Sequence, residues 1–201
     1  MSTGNRLRAS GARRQAILDA ALECFRAHGY EATTMAQIRD ASGASIGSLY
    51  HHYGGKDALA AALVSEGLDS YYRAWLARLD PGNDPLSAVH SVVHGHFDWL
   101  THNQALATVL FAHATFGELA RRSPGIAGIH QRFNASLLAW IRPRIGRKGF
   151  AHLPDDVYQP LWIGPAQEVT RLWAGWESLA DLAVLADQLA DGAWAALRWR
   201  R

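Results

Sequence analysis

A short run of hydroxyl, phenol and imidazole side chains between Ser45 and His52 has the chemistry needed to contact a nucleic acid. Hydroxyl groups and lysine suit phosphates, a glycine lets a helix backbone approach a groove, and His or Tyr can reach base edges. The candidate contact residues are Thr34, Ser45, Ile46, Gly47, Ser48, Tyr50, His51, His52 and Lys56. The alternative is an ordinary surface helix that carries aromatic residues by chance.

Two short helices must position these side chains. Thr34 and Gln37 have the spacing of a capping box, which predicts a helix that begins at Met35. Gly43 is placed to end this helix in a left-handed conformation and turn the chain. Ser45 can then cap a second helix, Ile46 to Tyr53, that anchors one face and leaves the others exposed.

An earlier helix is predicted from Ala12 to His28, with Gly29 as its stop. Its apolar positions repeat at helical spacing: Ile17, Leu18, Ala21, Leu22 and Phe25. We expect this stripe to pack on Ile38, Leu49 and Tyr53, which gives a three-helix head over residues 12–56. Residues 1–11 are polar and carry arginine, and they are expected to form a flexible basic arm.

The two short helices and the glycine turn form a helix-turn-helix unit. The run from Ala44 to Tyr53, followed by Gly54-Gly55-Lys56-Asp57 and Ala58-Leu59, resembles the DNA-binding motif of the TetR family of transcriptional regulators. The resemblance covers about the first third of the chain. It implies a homodimer, formed through two C-terminal helices, that a small molecule usually releases from DNA. Three positions depart from the family's usual pattern: Arg39 and Ser42 stand where Ala is common, and Ala44 stands where Val is common.

Composition is that of a soluble globular protein, with 201 residues, 49% hydrophobic and 19% charged. No apolar run is long enough to cross a membrane, and residues 1–14 lack the apolar segment of a signal peptide. We therefore expect a cytoplasmic protein. Cys24 is the single cysteine, which excludes an internal disulfide and a cysteine-rich metal site.

The net charge of +2 is distributed unevenly along the chain. Residues 1–56 carry seven Lys or Arg and four acids, so 7 − 4 = +3, whereas residues 57–201 carry thirteen and fourteen, so 13 − 14 = −1. The positive charge therefore lies at the end that contains the helix-turn-helix motif. Phosphate binding needs this sign, although a solvated basic tail would give the same count.

The remainder, residues 57–201, reads as a larger helical domain for effector binding and dimerisation. A helix from Lys56 to about Leu79 joins it to the head, and Pro81-Gly82-Asn83-Asp84-Pro85 then breaks the chain. No strand pattern or internal repeat is present, so we predict an all-α protein of about nine helices. An interior Gly164-Pro165 pair predicts a kink in the penultimate helix.

Three histidines, His90, His94 and His96, fall on one predicted helix. His90 and His94 have the spacing of a metal-binding pair, and the best candidates for further ligands are His113 and Glu118. The favoured interpretation is that these histidines lie in the core or a pocket with hydrogen-bond partners. We therefore assign no metal and no cofactor.

Eight tryptophans suggest an apolar cavity for an aromatic or planar ligand, or a subunit interface. The candidate effector-pocket residues are His96, Trp99, Phe111, His113, Trp162 and Trp173. The candidate dimer-interface residues are Trp176, Leu185, Leu189, Ala193 and Trp194. The alternative is that all of these side chains simply pack in the protein core.

Together these features predict a dimeric repressor that a small apolar or aromatic effector releases from a near-palindromic DNA operator. Two alternatives remain. One is a DNA-binding regulator that responds to no small molecule. The other is a small helical enzyme that uses the histidines, but no Ser-His-Asp, Cys-His or paired-carboxylate arrangement stands out, so we do not expect an enzyme.

Overall fold

A computed structural model describes residues 3–112, 123–172 and 179–199. These residues form nine α-helices, a π-helical turn (Thr108–Ala112) and a 3₁₀ turn (Arg142–Arg144), with isolated β-bridges in place of strands. The all-α prediction is therefore confirmed. The helices are α1 (Thr3–Ala32), α2 (Met35–Ser42), α3 (Ile46–Tyr53), α4 (Lys56–Leu76), α5 (Pro85–His102), α6 (Gln104–Ala107), α7 (Pro124–Ile141), α8 (Tyr158–Leu172) and α9 (Leu179–Leu197).

The chain divides into two compact units. The first contains the described residues of 1–67 and 105–126, and the second contains those of 68–104 and 127–201. The division falls within α4, α6 and α7. The predicted domain boundary after Lys56 remains a prediction.

The first unit is built on α1, α2 and α3. Gly29 interrupts α1 with a positive φ of 76°, as its predicted role as a helix stop requires. The buried Thr33 hydroxyl lies 3.0 Å from the Cys24 carbonyl oxygen and 2.7 Å from that of Gly29, which ties the chain after the break back to α1. Four of the five predicted stripe residues and all three expected partners are buried: Ile17, Leu18, Ala21, Phe25, Ile38, Leu49 and Tyr53. The fifth stripe residue, Leu22, is half-buried.

The expectation of a flexible arm over residues 1–11 needs a correction, because α1 begins at Thr3. The segment contains no proline, and each of its two glycines costs about 1 kcal/mol relative to alanine. Since the segment extends a helix that already exists, it avoids the cost of nucleating a new one. The polar composition of the segment was therefore a poor guide to its backbone.

The second unit is organised around α5, which is buried along much of its length. α9 packs along α5, and α8 contacts both helices. Ala186 and Ala190 of α9 are buried, and such small side chains allow two helix backbones to approach closely. Next to these helices lies an aromatic core in which the Trp162 ring is 5.6 Å from both Trp75 and Phe150, centroid to centroid.

The C-terminal end of α9 is held by a short loop after α7. The Ala151 N–H donates to the Leu197 carbonyl at 2.7 Å, and the Trp199 N–H donates to the Gly149 carbonyl at 2.9 Å. A Cβ at Gly149 would lie 1.9 Å from the Arg144 carbonyl oxygen, so only glycine fits there. Within the described parts of the chain, no helix is both long and apolar enough to cross a membrane.

Candidate functional site

The turn between α2 and α3 follows local rules that the sequence makes visible. The Gln37 N–H donates to the Thr34 hydroxyl at 3.2 Å, and the Thr34 N–H donates to the Gln37 side-chain oxygen at 2.7 Å. Gly43 ends α2 with φ 63°. The capping box and the left-handed glycine are both confirmed. The Thr34 hydroxyl also lies 2.9 Å from the Gln37 side-chain oxygen, so α2 itself uses this group, which we assigned to DNA.

The two ends of α3 are fixed in the same way. Ser45 caps the helix by accepting the Ser48 N–H at 3.2 Å. At the other end Gly54 adopts φ 73° and donates its N–H to the Tyr50 carbonyl at 2.9 Å. Both ends of the helix therefore have their backbone groups partly satisfied without help from another molecule.

One face of α3 is anchored to the first unit through Leu49 and Tyr53. Leu49 is fully buried, and the Tyr53 hydroxyl donates to the Arg14 carbonyl of α1 at 3.0 Å. The Arg14 guanidinium also lies over the Tyr53 ring, 5.6 Å from its centroid. Burial raises the pKa of Tyr53, which keeps its hydroxyl protonated as a donor. The sequence did not indicate this cross-link between α1 and α3.

The opposite surface of the helix, which we call the α3 face, consists of Ser45, Ile46, Gly47, Tyr50 and His51, all exposed. Ile46 is 42% exposed and Tyr50 is 51% exposed. The Tyr50 hydroxyl has no hydrogen-bond partner within the described residues. A Cβ added at Gly47 would meet no atom within 4 Å. Of the other candidates on this helix, Ser48 and His52 are half-buried, and the rings of His51 and His52 meet edge to face at 5.3 Å.

The predicted phosphate contact at Lys56 needs a correction. Its ammonium donates to the carbonyls of Tyr30 at 3.0 Å, Glu31 at 3.3 Å and Thr33 at 3.0 Å. An ammonium has three N–H donors, so these bonds use all of them. It also lies 4.5 Å from the centroid of the Tyr30 ring. Lys56 therefore ties α4 to the end of α1, and we assign it a structural role.

The region that contains α2 and α3 matches a known family. The family model described as bacterial regulatory proteins, tetR family, matches residues 17–63, which include α2 and α3. The transcriptional repressor AcnR from Corynebacterium efficiens is 45% identical over 53 residues, which are 26% of this chain and 28% of AcnR. The chain thus spans less than a third of the length of this relative.

Solved structures extend the likeness along the chain. A regulatory protein of the tetR family from Rhodococcus RHA1 is 25% identical, with a TM-score of 0.74 over 94% of this chain and 98% of that one. Residues 17–63 therefore form a DNA-binding region of the TetR family, and the fold of the whole chain resembles that of a TetR-family protein. FadR from Bacillus subtilis, solved in complex with stearoyl-CoA, has a TM-score of 0.73 over 90% of this chain and 98% of its own. Since the two sequences are only 17% identical, this likeness is one of fold alone.

In the second unit, the candidate pocket residue His96 is fully buried, and both of its ring nitrogens have hydrogen-bond partners. The Thr170 hydroxyl donates to the Ala166 carbonyl at 2.9 Å, so His96 Nε2 donates to Thr170 Oγ1, also at 2.9 Å. His96 Nδ1 then accepts from the Tyr71 hydroxyl at 2.8 Å. Burial lowers the pKa of His96 to about 3, so the ring is neutral. We call Tyr71, His96 and Thr170 the histidine network.

The candidate pocket tryptophans of the second unit are also bonded within the protein. Trp99 Nε1 donates to the Ser70 hydroxyl at 3.2 Å, and Trp162 Nε1 donates to the Val89 carbonyl at 3.3 Å. Both side chains are at most 5% exposed. Phe111 belongs to the first unit and is half-buried, while His113 and Trp173 lie outside the described residues. A shared pocket for these six residues remains a prediction.

Sequence reasoning missed two features of the second unit. Trp75 is 2% exposed, and its indole N–H has no acceptor within the described residues. A shallow cavity of about 180 Å³ lies between α4 and α7, lined by Asp69, Tyr72, Arg73, Leu76, Ile129, Arg132, Phe133 and Ser136. No spacing in the sequence marks either feature, because each depends on which helices pack together.

The candidate interface residues on α9 differ in exposure. Leu185, Leu189 and Trp194 are half-buried, and Trp176 lies outside the described residues. Ala193 is 2% exposed, so its own chain covers it. This corrects its assignment to the interface, because Ala193 is buried within its own subunit, as are Ala186 and Ala190 of the same helix. Leu172, which was not predicted, is 67% exposed at the end of α8.

The histidine pair on α5 has partners that the sequence did not suggest. His94 lies next to Asp187 and His90 next to Asp191, and both aspartates are on α9. His113 and Glu118, the expected further ligands, lie outside the described residues.

Proposed function

We propose that this chain is a DNA-binding transcriptional repressor that reads its operator with α3. The observation that carries the proposal is the α3 face: capped at both ends, anchored through Leu49 and Tyr53, and exposed at Tyr50 and His51. A second helix held in this way can enter the major groove while the first crosses the backbone. The match of residues 17–63 to the tetR-family model and the 45% identity to the repressor AcnR over 53 residues support the same function.

The repressor acts as a homodimer on a near-palindromic site. One eight-residue helix makes few base contacts, whereas two helices related by a two-fold axis read two half-sites in neighbouring major-groove segments. Half-buried Leu185, Leu189 and Trp194, together with the exposed Leu172, provide apolar surface on the last two helices for this assembly. The protein acts in the cytoplasm, where the chromosome is accessible.

A small apolar or aromatic effector binds in the second unit and lowers the affinity for DNA. The stearoyl-CoA complex of FadR, which shares this fold, supports a ligand-binding role for the helical body. An effector can bind more tightly to a conformation in which the two α3 helices are wrongly spaced for DNA. It then shifts the population toward that conformation and so lowers the affinity for DNA. α4, which passes from the first unit to the second, is the element that we expect to move.

The test is selection of binding sites from a random duplex library at a stated salt concentration, because phosphate contacts make affinity salt-dependent. We expect enrichment of a near-palindrome whose half-sites are a helical turn or more apart. Tyr50→Ala and His51→Ala should each weaken binding to that site by about 1–3 kcal/mol, as loss of a base contact does.

His152→Ala is the matched control, because His152 is exposed but lies outside the helix-turn-helix. It should bind like the unmodified protein. If Tyr50→Ala and His51→Ala select the same site with the same affinity, the α3 face does not read DNA. Salt-sensitive binding without any enriched sequence would also contradict the proposal.

A further inference from the structure

We propose that His90, His94, Asp187 and Asp191 form a binding site for a divalent transition-metal ion. His90 and His94 are one helical turn apart on α5, and Asp187 and Asp191 are one turn apart on α9. Residues four apart lie on the same face of a helix, so two pairs of metal ligands meet across one helix–helix contact within the second unit. None of these four residues is among the proposed DNA contacts.

The distances between the ligand atoms support a single site. His94 Nε2 lies 2.8 Å from Asp187 Oδ1, and His90 Nε2 lies 3.1 Å from Asp191 Oδ1. One ligand atom from each of His90, His94 and Asp187 falls within 4.8 Å of the other two. A tetrahedral ion with bonds of 2.0–2.2 Å holds its ligand atoms about 3.4 Å apart. These three atoms are therefore close to the spacing of one ion's ligands, and Asp191, which is paired with His90, is the candidate fourth ligand.

Two separate surface ion pairs are the competing interpretation, and such pairs contribute little to stability. That interpretation requires His90 to approach Asp191 and His94 to approach Asp187, and nothing more. It does not require the ligand atoms of His90 and Asp187 to lie within 4.8 Å of each other. In the structure they do. This three-way proximity is the observation that favours a metal site.

The surroundings of the four residues suit an exchangeable ion. The carboxylate side chains are 73% and 74% exposed and the imidazoles 41% and 29%, so an ion can enter from solvent. The helices beneath are fixed by buried side chains, among them Val89 and Val93 on α5. Two imidazoles with two carboxylates suit Zn²⁺, Ni²⁺, Co²⁺ or Fe²⁺, whereas Mg²⁺ and Ca²⁺ prefer oxygen ligands alone.

Binding of the ion would link α5 to α9 and stabilise the second unit. Suppose that an ion binds only the folded chain and that its free concentration is 100 times its Kd. It then shifts the folding equilibrium about 100-fold toward the native state. The expected effect on the protein is therefore a higher unfolding temperature in the presence of the ion. This effect involves no DNA, so it can be tested even if the proposed repressor function fails.

The experiment is equilibrium dialysis of the untagged, chelator-treated full chain against Zn²⁺, with metal content measured by mass spectrometry. We expect one Zn²⁺ per chain and no competition from excess Mg²⁺. His94→Ala and Asp187→Asn should each weaken this binding by at least about 10-fold, since even the loss of an outer-shell partner can do so. His102→Ala, an exposed histidine on the same helix, should leave it unchanged.

A double variant, His90→Ala with His94→Ala, measures binding at all other sites of the chain. If the unmodified protein binds Zn²⁺ no more tightly than this variant, the four residues are surface ion pairs and the proposal is wrong. Circular dichroism checks that the variants fold, as expected for half-exposed side chains. Zn²⁺ should raise the unfolding temperature of the unmodified protein but not that of the folded double variant.

Discussion

Tyrosine and histidine occur together in both units, with opposite surroundings. On the α3 face, Tyr50 is half exposed and its hydroxyl has no partner within the described residues. In the histidine network, Tyr71 and His96 are buried and bonded to each other at 2.8 Å. The same residue types therefore remain available for recognition in one place and are used for structure in the other.

The difference follows from the cost of burial. A buried polar group without a partner costs about 1–3 kcal/mol, so the histidine network must satisfy its donors and acceptors internally. A group on the α3 face can bond to water until another molecule replaces that water. Removing a side chain from the network should therefore reduce stability, whereas removing one from the α3 face should reduce binding.

The largest expected effect is on the histidine network. His96→Ala leaves the Tyr71 hydroxyl and the Thr170 hydroxyl without their imidazole partner and opens a cavity. We expect the free energy of unfolding to fall by about 3 kcal/mol or more, measured by urea titration of tryptophan fluorescence. His152→Ala, at an exposed histidine, is the control and should be nearly neutral. Equal stability of the two variants would show that the network is unimportant.

Lys56→Met tests the corrected role of the lysine. The substitution keeps an unbranched apolar stem and removes three hydrogen bonds to carbonyls. We expect a loss of about 2 kcal/mol in unfolding free energy, since bonds from a charged donor contribute about 1.5–3 kcal/mol. If stability is unchanged and only the salt dependence of DNA binding falls, Lys56 is a phosphate contact after all.

Acid should destabilise the protein through His96. The pKa of His96 is lowered from 6.5 to about 3 in the folded state, so between these pH values the unfolded chain binds a proton that the folded chain does not. Stability from this group is therefore complete above about pH 6.5 and declines as pH falls, by at most about 1.4 kcal/mol per pH unit. The difference in unfolding free energy between the unmodified protein and His96→Gln, measured from pH 7 to pH 4, should shrink as pH falls. A constant difference would mean that His96 titrates normally.

The sequence predicted those parts of the site that depend on neighbours in the chain. Thr34 with Gln37, and the glycine at 43, are local signals because their partners lie within a few residues. The bonds from Lys56 to the Tyr30 carbonyl and from Tyr53 to the Arg14 carbonyl join residues 26 and 39 positions apart. No spacing rule reports such contacts, since they depend on how helices pack.

The second unit was harder to predict for the same reason. The sequence supplied candidate apolar residues in this unit but did not tell which of them face the subunit interior and which face outward. Ala193 is therefore buried within its own chain, although we expected it at the interface. The sequence did not decide whether His96 lies in a ligand pocket or in the core. Partners as distant as Thr170, 74 residues away, were needed to show that both its ring nitrogens are bonded inside the protein.

The most direct test of the account is the DNA affinity of Gly47→Ala at the selected operator. The added methyl group meets no atom of the first unit, and alanine favours a helix over glycine by about 0.5–1 kcal/mol, so the variant should be as stable or slightly more stable. If α3 lies in the major groove, the methyl group occupies the space needed by DNA and binding should be lost. Unchanged affinity in this folded variant would contradict the claim that α3 reads the operator.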